Sequence, residues 1–448
     1  LRVILVVIQR KTQAVAEARI IEESFTTCSG GVFDAMAPLF AQASTRFNAR
    51  DYLAGLLAEL PRKNCWTIAE HVGHASPDRL QYLLERAVWD ERELRGIVAE
   101  AAVTALGGDG VLIFDETGDL KKGRSSLGWA RQYTGTAGRV DNAQVTTWAV
   151  WATKAGHALI DYEVYLHKEW FAEEDLRLGA AHAPGPVPKR TKGQQAAEML
   201  RRLLAGPARP RAVSATGDEV YGNSPHLRRG LYGAGLTFVL ACAASTKLRT
   251  DPLIDPQRAD ALAEQVPTRN WQARAVGKGA KGLREYAGGW LDLTVAEEPT
   301  GHHYLLVRQS LTTGEQAFYR CWSPRPLRLH DLVALARARW AIEESFQQAK
   351  GRVGLDQHQV RTWDATHRHL TLAMTAYLIH TLTMIKLRER LDDDPALEPL
   401  SLPETAHLVA LLDLTARHTA IFVLTWSTWR RRRNKQGLFK FLTGRGSG

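Results

Sequence analysis

From 36 to 106, apolar residues recur at helical spacing, in Tyr52, Leu53, Leu56, Leu57 and Leu60 and again in Leu80, Leu83, Leu84 and Val88. That spacing predicts a compact set of short helices. Pro61 ends the first of them, and Ser76-Pro77-Asp78 starts the second with proline at its first position. Past Gly107-Gly108-Asp109-Gly110 the pattern changes. Val111-Leu112-Ile113-Phe114 is a continuous apolar run, which predicts a buried strand ending on Asp115. Residues 143–152 and 157–166 are rich in Val, Thr, Trp and Tyr and flank Lys154-Ala155-Gly156, so they predict a hairpin. A Pro-rich stretch at 184–188 leads into a helix over 192–204 and a strand over 212–215 that delivers Asp218. A helix at 225–234 and an apolar strand at 236–242 come next. Helices alternating with strands indicate an α/β layer fold.

Turn-rich, Gly-containing sequence then runs from 245 to 324, with strand-like pieces at 303–308 and 316–321. It reads as an inserted β-rich subdomain. A helical pattern resumes over 329–350, and further helices are expected over 366–390 and 405–424. The first methionine is Met36, so residues 1–35 are set aside as an uncertain leader. The expected divisions are a helical N-terminal domain at 36–106, an α/β core at 107–244 and 325–392, the β insertion at 245–324, and a helical, basic region at 393–448.

With 45% hydrophobic and 24% charged residues, the composition excludes disordered and fibrous classes. Lys plus Arg number 58 against 48 for Asp plus Glu, a net charge of +10 that favours a polyanionic partner such as nucleic acid. Cys28, Cys65, Cys242 and Cys321 are widely spaced and form no C-x-x-C pair. They argue against a zinc site or a disulfide framework and suit a reducing cytoplasm. The apolar run at 3–8 is too short for a membrane span, so no membrane partner is expected.

Asp115 and Asp218 each sit at the carboxyl end of a predicted strand, where open α/β sheets place their ligands, although aspartate is also common in turns after strands. A third acid, Glu343, lies on the predicted helix with Arg339 at i−4 and Lys350 at i+7, so the three share one face and Glu344 points elsewhere. Arg339 and Glu343 could equally be an ordinary salt-bridged pair on an exposed helix. Three separated carboxylates suit phosphodiester chemistry. Two Mg²⁺ ions about 4 Å apart would activate the nucleophile on one side and stabilise the leaving oxygen on the other. Mg²⁺ takes hard oxygen ligands and few of them from protein, and a basic pair beside the third acid suits phosphate contact.

These motifs together resemble bacterial insertion-sequence transposases of the DDE endonuclease superfamily. Phe114-Asp115-Glu116-Thr117-Gly118, then Lys121-Lys122-Gly123, resembles the first-aspartate segment, and the stretch 130–139 with Asn142 and Gln144 resembles the family's next segment. Gly217-Asp218-Glu219-Val220-Tyr221-Gly222 is similar to the second-aspartate segment. Arg339, Glu343 and Lys350 fit the signature Y-(2)-R-(3)-E-(6)-K, with Ala336 at the tyrosine position. Arg62-Lys63-Asn64-Cys65-Trp66 resembles the N-terminal region, so the similarity spans about 36–430.

The resemblance implies a ribonuclease H-like core in which Asp115, Asp218 and Glu343 bind Mg²⁺, with Mn²⁺ as a substitute, and Arg339 and Lys350 contact transposon-end DNA. It implies hydrolysis at the element's ends and transfer of the 3′-hydroxyl to target DNA, by a homodimer on paired ends in the bacterial nucleoid. A nuclease that cuts without joining, and a transposase-derived DNA-binding protein without catalysis, are the competing readings.

Lys121, Lys122 and Arg124 come soon after the first aspartate, and Arg131 lies in the neighbouring motif, which favours contact with substrate. Arg430, Arg431, Arg432 and Arg433, with Trp426 and Trp429 before them and Lys435 after, suit either phosphate contact or a solvated tail. Trp271, Trp290 and Trp322 are candidates for stacking an unpaired base or for core packing. His71 and His74 lack the acid that completes a zinc motif and read as surface or packing residues; His367 and His369 suit either DNA contact or packing.

Overall fold

A computed structural model describes residues 2–172, 174–279, 282–294, 300–392 and 394–413, with 424, 425, 427, 428, 431, 432 and 435 beyond them. In chain order, α1 (Arg2–Met36), α2 (Ala43–Leu57), α3 (Cys65–His71), α4 (Asp78–Glu85) and α5 (Glu91–Leu106) come first. Then come β1 (Gly110–Leu120), β2 (Ala130–Thr134), β3 (Arg139–Ala152), β4 (His157–Tyr165), α6 (Glu169–Ala172), α7 (Glu174–Ala180) and α8 (Lys192–Ala205). Next are β5 (Ala212–Gly217), α9 (Glu219–Gly222), α10 (Pro225–Gly233), β6 (Thr237–Cys242), β7 (Lys247–Leu248), β8 (Gln257–Arg258) and α11 (Ala259–Ala263). β9 (Gln272–Gly279), β10 (Gly282–Leu293), β11 (His302–Ser310) and β12 (Gln316–Ser323) precede α12 (Leu329–Ala338), α13 (Trp340–Val353), α14 (Trp363–Leu391) and α15 (Leu402–Asp413).

Two compact units share the chain: 1–106 with 346–448, and 107–345. The first is helical. Its central element is α14, which packs against α1, α2, α4, α5 and α15. By length and composition α14 could cross a membrane, but 83% of its most apolar window is buried among the other helices, the setting of a core helix. His367 and His369 are spent on this packing. His367 Nδ1 donates to the Trp363 carbonyl at 2.9 Å, and His369 Nδ1 lies 2.8 Å from the Tyr52 hydroxyl. Arg368 donates to the Leu84 carbonyl and stacks over Trp89. His74 pairs with Asp51 at 2.7 Å, while His71 is exposed. The segment 346–392, grouped with the core by the sequence pattern, packs in the structure with these N-terminal helices because its apolar residues find their partners there.

The second unit is a mixed α/β layer built on a ten-stranded sheet, ordered β2-β3-β1-β5-β6-β12-β11-β10-β9, with β4 also paired to β3. β1, β5 and β6 run parallel; β3 is antiparallel to β1 and to β4. This large mixed sheet is consistent with a ribonuclease H-like transposase core. The β-rich stretch after residue 245 makes no separate large sheet: β12 pairs antiparallel with β6, so β9–β12 extend the same one. Its face is covered by a local cluster around Leu262, Leu293, Leu305 and Val307. Trp271 packs on that cluster, Trp290 on the one containing Tyr319 and Leu329, and Trp322 is buried against Tyr232 and Phe238.

Two elements differ in length from their sequence patterns. The apolar run ends at Phe114, yet β1 continues to Leu120, because β3 supplies antiparallel partners out to Leu120↔Ala143. The helical pattern over 329–350 divides into α12 and α13 at Arg339, which caps α12 and keeps helical dihedrals (φ −55°, ψ −28°). Because Arg339 stays helical, its side chain still projects near that of Glu343, four residues on.

Close packing of α9 on β6 sets the turn that carries Asp218. A Cβ on Gly222 would lie 1.8 Å from the Ala241 carbonyl oxygen, whereas one on Gly233 would meet nothing within 4 Å. Gly222→Ala is expected to destabilise the fold by about 1–3 kcal/mol through this overpacking. Gly233→Ala, on the exposed side of α10, is expected to be neutral or to stabilise by up to about 1 kcal/mol. Urea unfolding of the two variants checks this; equal stability of both contradicts the packing constraint.

Candidate functional site

The site starts from strand register. β1 and β5 pair in parallel from Val111↔Ser214 to Phe114↔Gly217. The next residues on the two strands are Asp115 and Asp218, so both carboxylates leave the sheet side by side where the parallel pairing stops. Gly217 permits the approach, since a Cβ there would come within 3.1 Å of the Phe114 carbonyl oxygen. Asp218 is then fixed by local geometry. It caps α9, its Oδ1 accepting from the Val220 N–H at 2.8 Å.

Glu116 joins them. Ligand oxygens of Asp115, Glu116 and Asp218 all lie within 4.8 Å of one another. Glu116 is held from both sides: Lys192 Nζ, on the first residue of α8, donates to one oxygen at 2.7 Å, and the buried Tyr221 hydroxyl donates to the other at 2.7 Å. Glu343 reaches the group through Arg339. The guanidinium donates through Nη1 to Asp115 Oδ2 at 2.7 Å and through Nη2 to Glu343 Oε1 at 2.6 Å, so one cation bridges the sheet acid and the helix acid. Glu344 turns away and lies 3.4 Å from His157 of β4. Helical geometry therefore separates the two glutamates.

Electrostatics reflect the crowding. Asp115 is only 8% exposed; burial first, then the neighbouring Asp218 carboxylate, push its carboxyl up to about 7, and Arg339 pulls it down without cancelling them. Asp218 is raised for the same kind of reason, burial first and Glu116 second. Tyr221 is held far above the ordinary phenol range by burial and then by Glu116 and Asp115, so it stays a hydrogen-bond donor. Hard carboxylate oxygens, close together and mutually repelling, fit a divalent cation. Asp115 and Asp218 with Glu116 or Glu343 are the residues that would hold it.

The remaining sequence-predicted residues have varied settings. Lys122 and Arg131 are exposed, and Lys121 is half-buried in the loop after β1. That loop is tied down by Asn142, whose side-chain amide donates to the carbonyls of Lys121 and Gly123 at 2.7 and 2.9 Å, and by Gln144, which donates to the Leu127 carbonyl. Lys350 is half-buried two turns along α13 from Glu343. Arg431 donates to the Asp392 carboxylate and to the Glu398 carbonyl, and Arg432 lies 3.9 Å from Asp394. Arg430, Arg433, Trp426 and Trp429 lie outside the described residues. Glu116, Lys192 and Tyr221 were passed over as site residues by sequence reasoning. Glu116 and Tyr221 were visible only as neighbours of the aspartates, and Lys192 only as a helix start; their meeting depends on contacts across 76 and 105 residues.

The raised Asp115 carboxyl has a thermodynamic consequence. An acid whose folded value lies above its unfolded one stabilises the fold at low pH and loses that contribution as pH rises toward the folded value. Without metal, the protein is expected to lose stability between about pH 4 and pH 7, by at most about 4 kcal/mol from this group at 1.36 kcal/mol per unit. Asp115→Asn is expected to melt higher than wild type at pH 8, and added divalent cation to raise the wild-type melting temperature but not the variant's. Melting curves at pH 5 and 8 check this. A variant that melts lower at pH 8 in the absence of metal contradicts the burial of an ionisable Asp115.

Comparison with known proteins bears on this geometry. A family model described as DDE superfamily endonuclease matches residues 35–287, a span that includes Asp115, Glu116 and Asp218 and ends before Glu343. A protein of Microchaete diplosiphon described as a probable transposase for insertion sequence element IS701 is 33% identical over 182 residues, 40% of this chain. The matched part spans 44% of that relative's length. A cryo-EM structure of piggyBac transposase in a synaptic complex with hairpin DNA aligns over 96% of this chain and 84% of its own, at 10% identity and a TM-score of 0.41. The family match covers more than half of the chain and includes the paired strand-end aspartates: the chain belongs to the DDE superfamily of endonucleases.

Proposed function

We propose that this protein is an insertion-sequence transposase with a ribonuclease H-like catalytic core. It cleaves double-stranded DNA at the element's ends with Mg²⁺ and transfers the freed 3′-hydroxyl to target DNA. The observation that carries the proposal is the β1–β5 register, which sets Asp115 and Asp218 side by side, together with the Arg339 bridge from Asp115 to Glu343. Family membership and the 33% identical transposase relative support it.

Bound Mg²⁺ would supply charge stabilisation to a phosphodiester and acidity to the attacking hydroxyl. The chain's own residues do the remaining work. Asp115 and Asp218 hold the cation in ionised form, and Glu343, carried on α13, closes the carboxylate set. Glu116 is oriented by Lys192 and Tyr221 behind the two aspartates. Arg339 balances Asp115 and Glu343; a divalent cation held by those acids would leave its guanidinium able to pair with a phosphate. Lys121, Lys122 and Arg131 flank the same strands and supply backbone phosphate contacts, and the exposed Trp340 beside Arg339 offers a ring to a base. Two ends to be cut imply a homodimer on DNA.

Asp115→Asn, Asp218→Asn and Glu343→Gln are each expected to lower Mg²⁺-dependent cleavage of end-bearing DNA by on the order of 100-fold or more, with DNA affinity kept within about threefold. Cleavage and gel-shift assays on the same preparations check this, and wild-type-like cutting by the two Asp→Asn variants sinks the proposal. Incubating a precut 3′-hydroxyl end with supercoiled target separates the two enzyme readings. Joined product is expected; cutting without joining assigns the chain as a nuclease instead.

A further inference from the structure

The helical unit contains a cavity of about 350 Å³ between the turn after α2, the end of α13, α14 and α15. Its lining is cationic: Lys63, Arg352 and His380 face it, and among the described residues Glu59, exposed at its rim, is the one carboxylate. Lys63 is 4% exposed and His380 1% exposed.

Lys63 is locked in place. Its N–H donates to Gln357 Oε1 at 2.7 Å, its ammonium donates to the Leu56 carbonyl at 2.6 Å and to the Arg352 carbonyl, and Gly354, at φ +66°, packs on its stem. Those two carbonyls end α2 and α13, so the ammonium caps two helix C-termini. Capping accounts for Lys63 and for two of its three N–H groups. It does not account for the rest of the cavity. His380 Nδ1 is buried with no hydrogen-bond partner among the described residues, and the half-buried Arg352 guanidinium lines the same space. Burial first, then Lys63 and Arg352, hold the imidazole down at about 3, so the ring is neutral and one of its nitrogens carries a proton. Buried polar atoms are rarely left unpaired, and a polar cavity beside such an atom marks a ligand's place.

We infer that this cavity binds a phosphate group, whose oxygens accept hydrogen bonds from Lys63, Arg352 and His380. The ligand is a phosphate monoester or inorganic phosphate, a compact dianion that the cavity admits and that pairs with the Lys63 ammonium and the Arg352 guanidinium. In a DNA-processing protein the monoester has an evident source in the 5′-phosphate of a DNA end. The site uses none of the acid-cluster residues, and only its assignment to a DNA end rests on the proposed function.

The test is calorimetric titration of the full chain with sodium phosphate, against sodium chloride of matched ionic strength. Saturable binding of one phosphate per chain is expected, weakened at least tenfold in both Arg352→Gln and His380→Gln. Arg352 is half-buried, so its variant retains the fold, which a melting curve verifies. Nitrogen NMR of the His380 ring in wild type gives a second readout: phosphate is expected to raise the pH at which the imidazole protonates. No phosphate response beyond chloride, wild-type binding by Arg352→Gln, or an unchanged His380 titration would each overturn the inference. Duplex DNA with a 5′-phosphate, and the same duplex with a 5′-hydroxyl, are then competed against phosphate. Competition by the phosphorylated duplex alone supports the site and assigns it to a DNA end; competition by neither duplex supports it as a site for free phosphate.

Discussion

Parallel pairing between β1 and β5 stops at Phe114 and Gly217, and the next residue on each strand is a carboxylate that leaves the sheet toward the other. Every other feature of the site answers that constraint. Placing like charges within a few ångströms in a buried setting costs free energy, which is visible in the upward shift of Asp115 to about 7. The surrounding residues distribute compensation. Arg339 takes Asp115 and Glu343, while Lys192 and Tyr221 take Glu116. The Val220 N–H takes Asp218. These partners come from separate segments, so the charge cluster also ties α8, α9 and α13 to the end of the sheet.

The compensation is arranged so that it can be exchanged. Arg339 bridges two acids with its two terminal nitrogens, which is the electrostatic role a divalent cation would fill with higher charge. Glu116 differs, because both its oxygens are occupied by groups anchored in the fold. On the proposed function, the positions open to a cation are therefore those of Asp115, Asp218 and Glu343.

Legibility from sequence tracked the range of the interaction. Asp115 and Asp218 could be nominated because a strand's hydrophobic run and its terminal acid are local, and Glu343 could be told from Glu344 because helix periodicity is local. The length of β1 past Phe114 was not legible: its polar residues Glu116, Thr117 and Asp119 are strand only because β3 pairs with them. The break at Arg339 was equally hidden, since apolar spacing runs through it. That β9–β12 extend the main sheet depends on β12 meeting β6, a pairing that no local pattern encodes. Lys63 was visible as part of a motif, yet its role appears only when Gln357, Arg352 and His380 are brought to it across the chain.

On the proposed function, Asp115 and Asp218 form one seat for a divalent cation, and anomalous diffraction from crystals soaked in Mn²⁺ is the sharpest test of that seat. An anomalous peak is expected at coordination distance, about 2.0–2.2 Å, from a carboxylate oxygen of each aspartate, with Arg339 released from Asp115. Uptake of Mn²⁺ only elsewhere on the protein, with the Arg339 bridge intact, would overturn it.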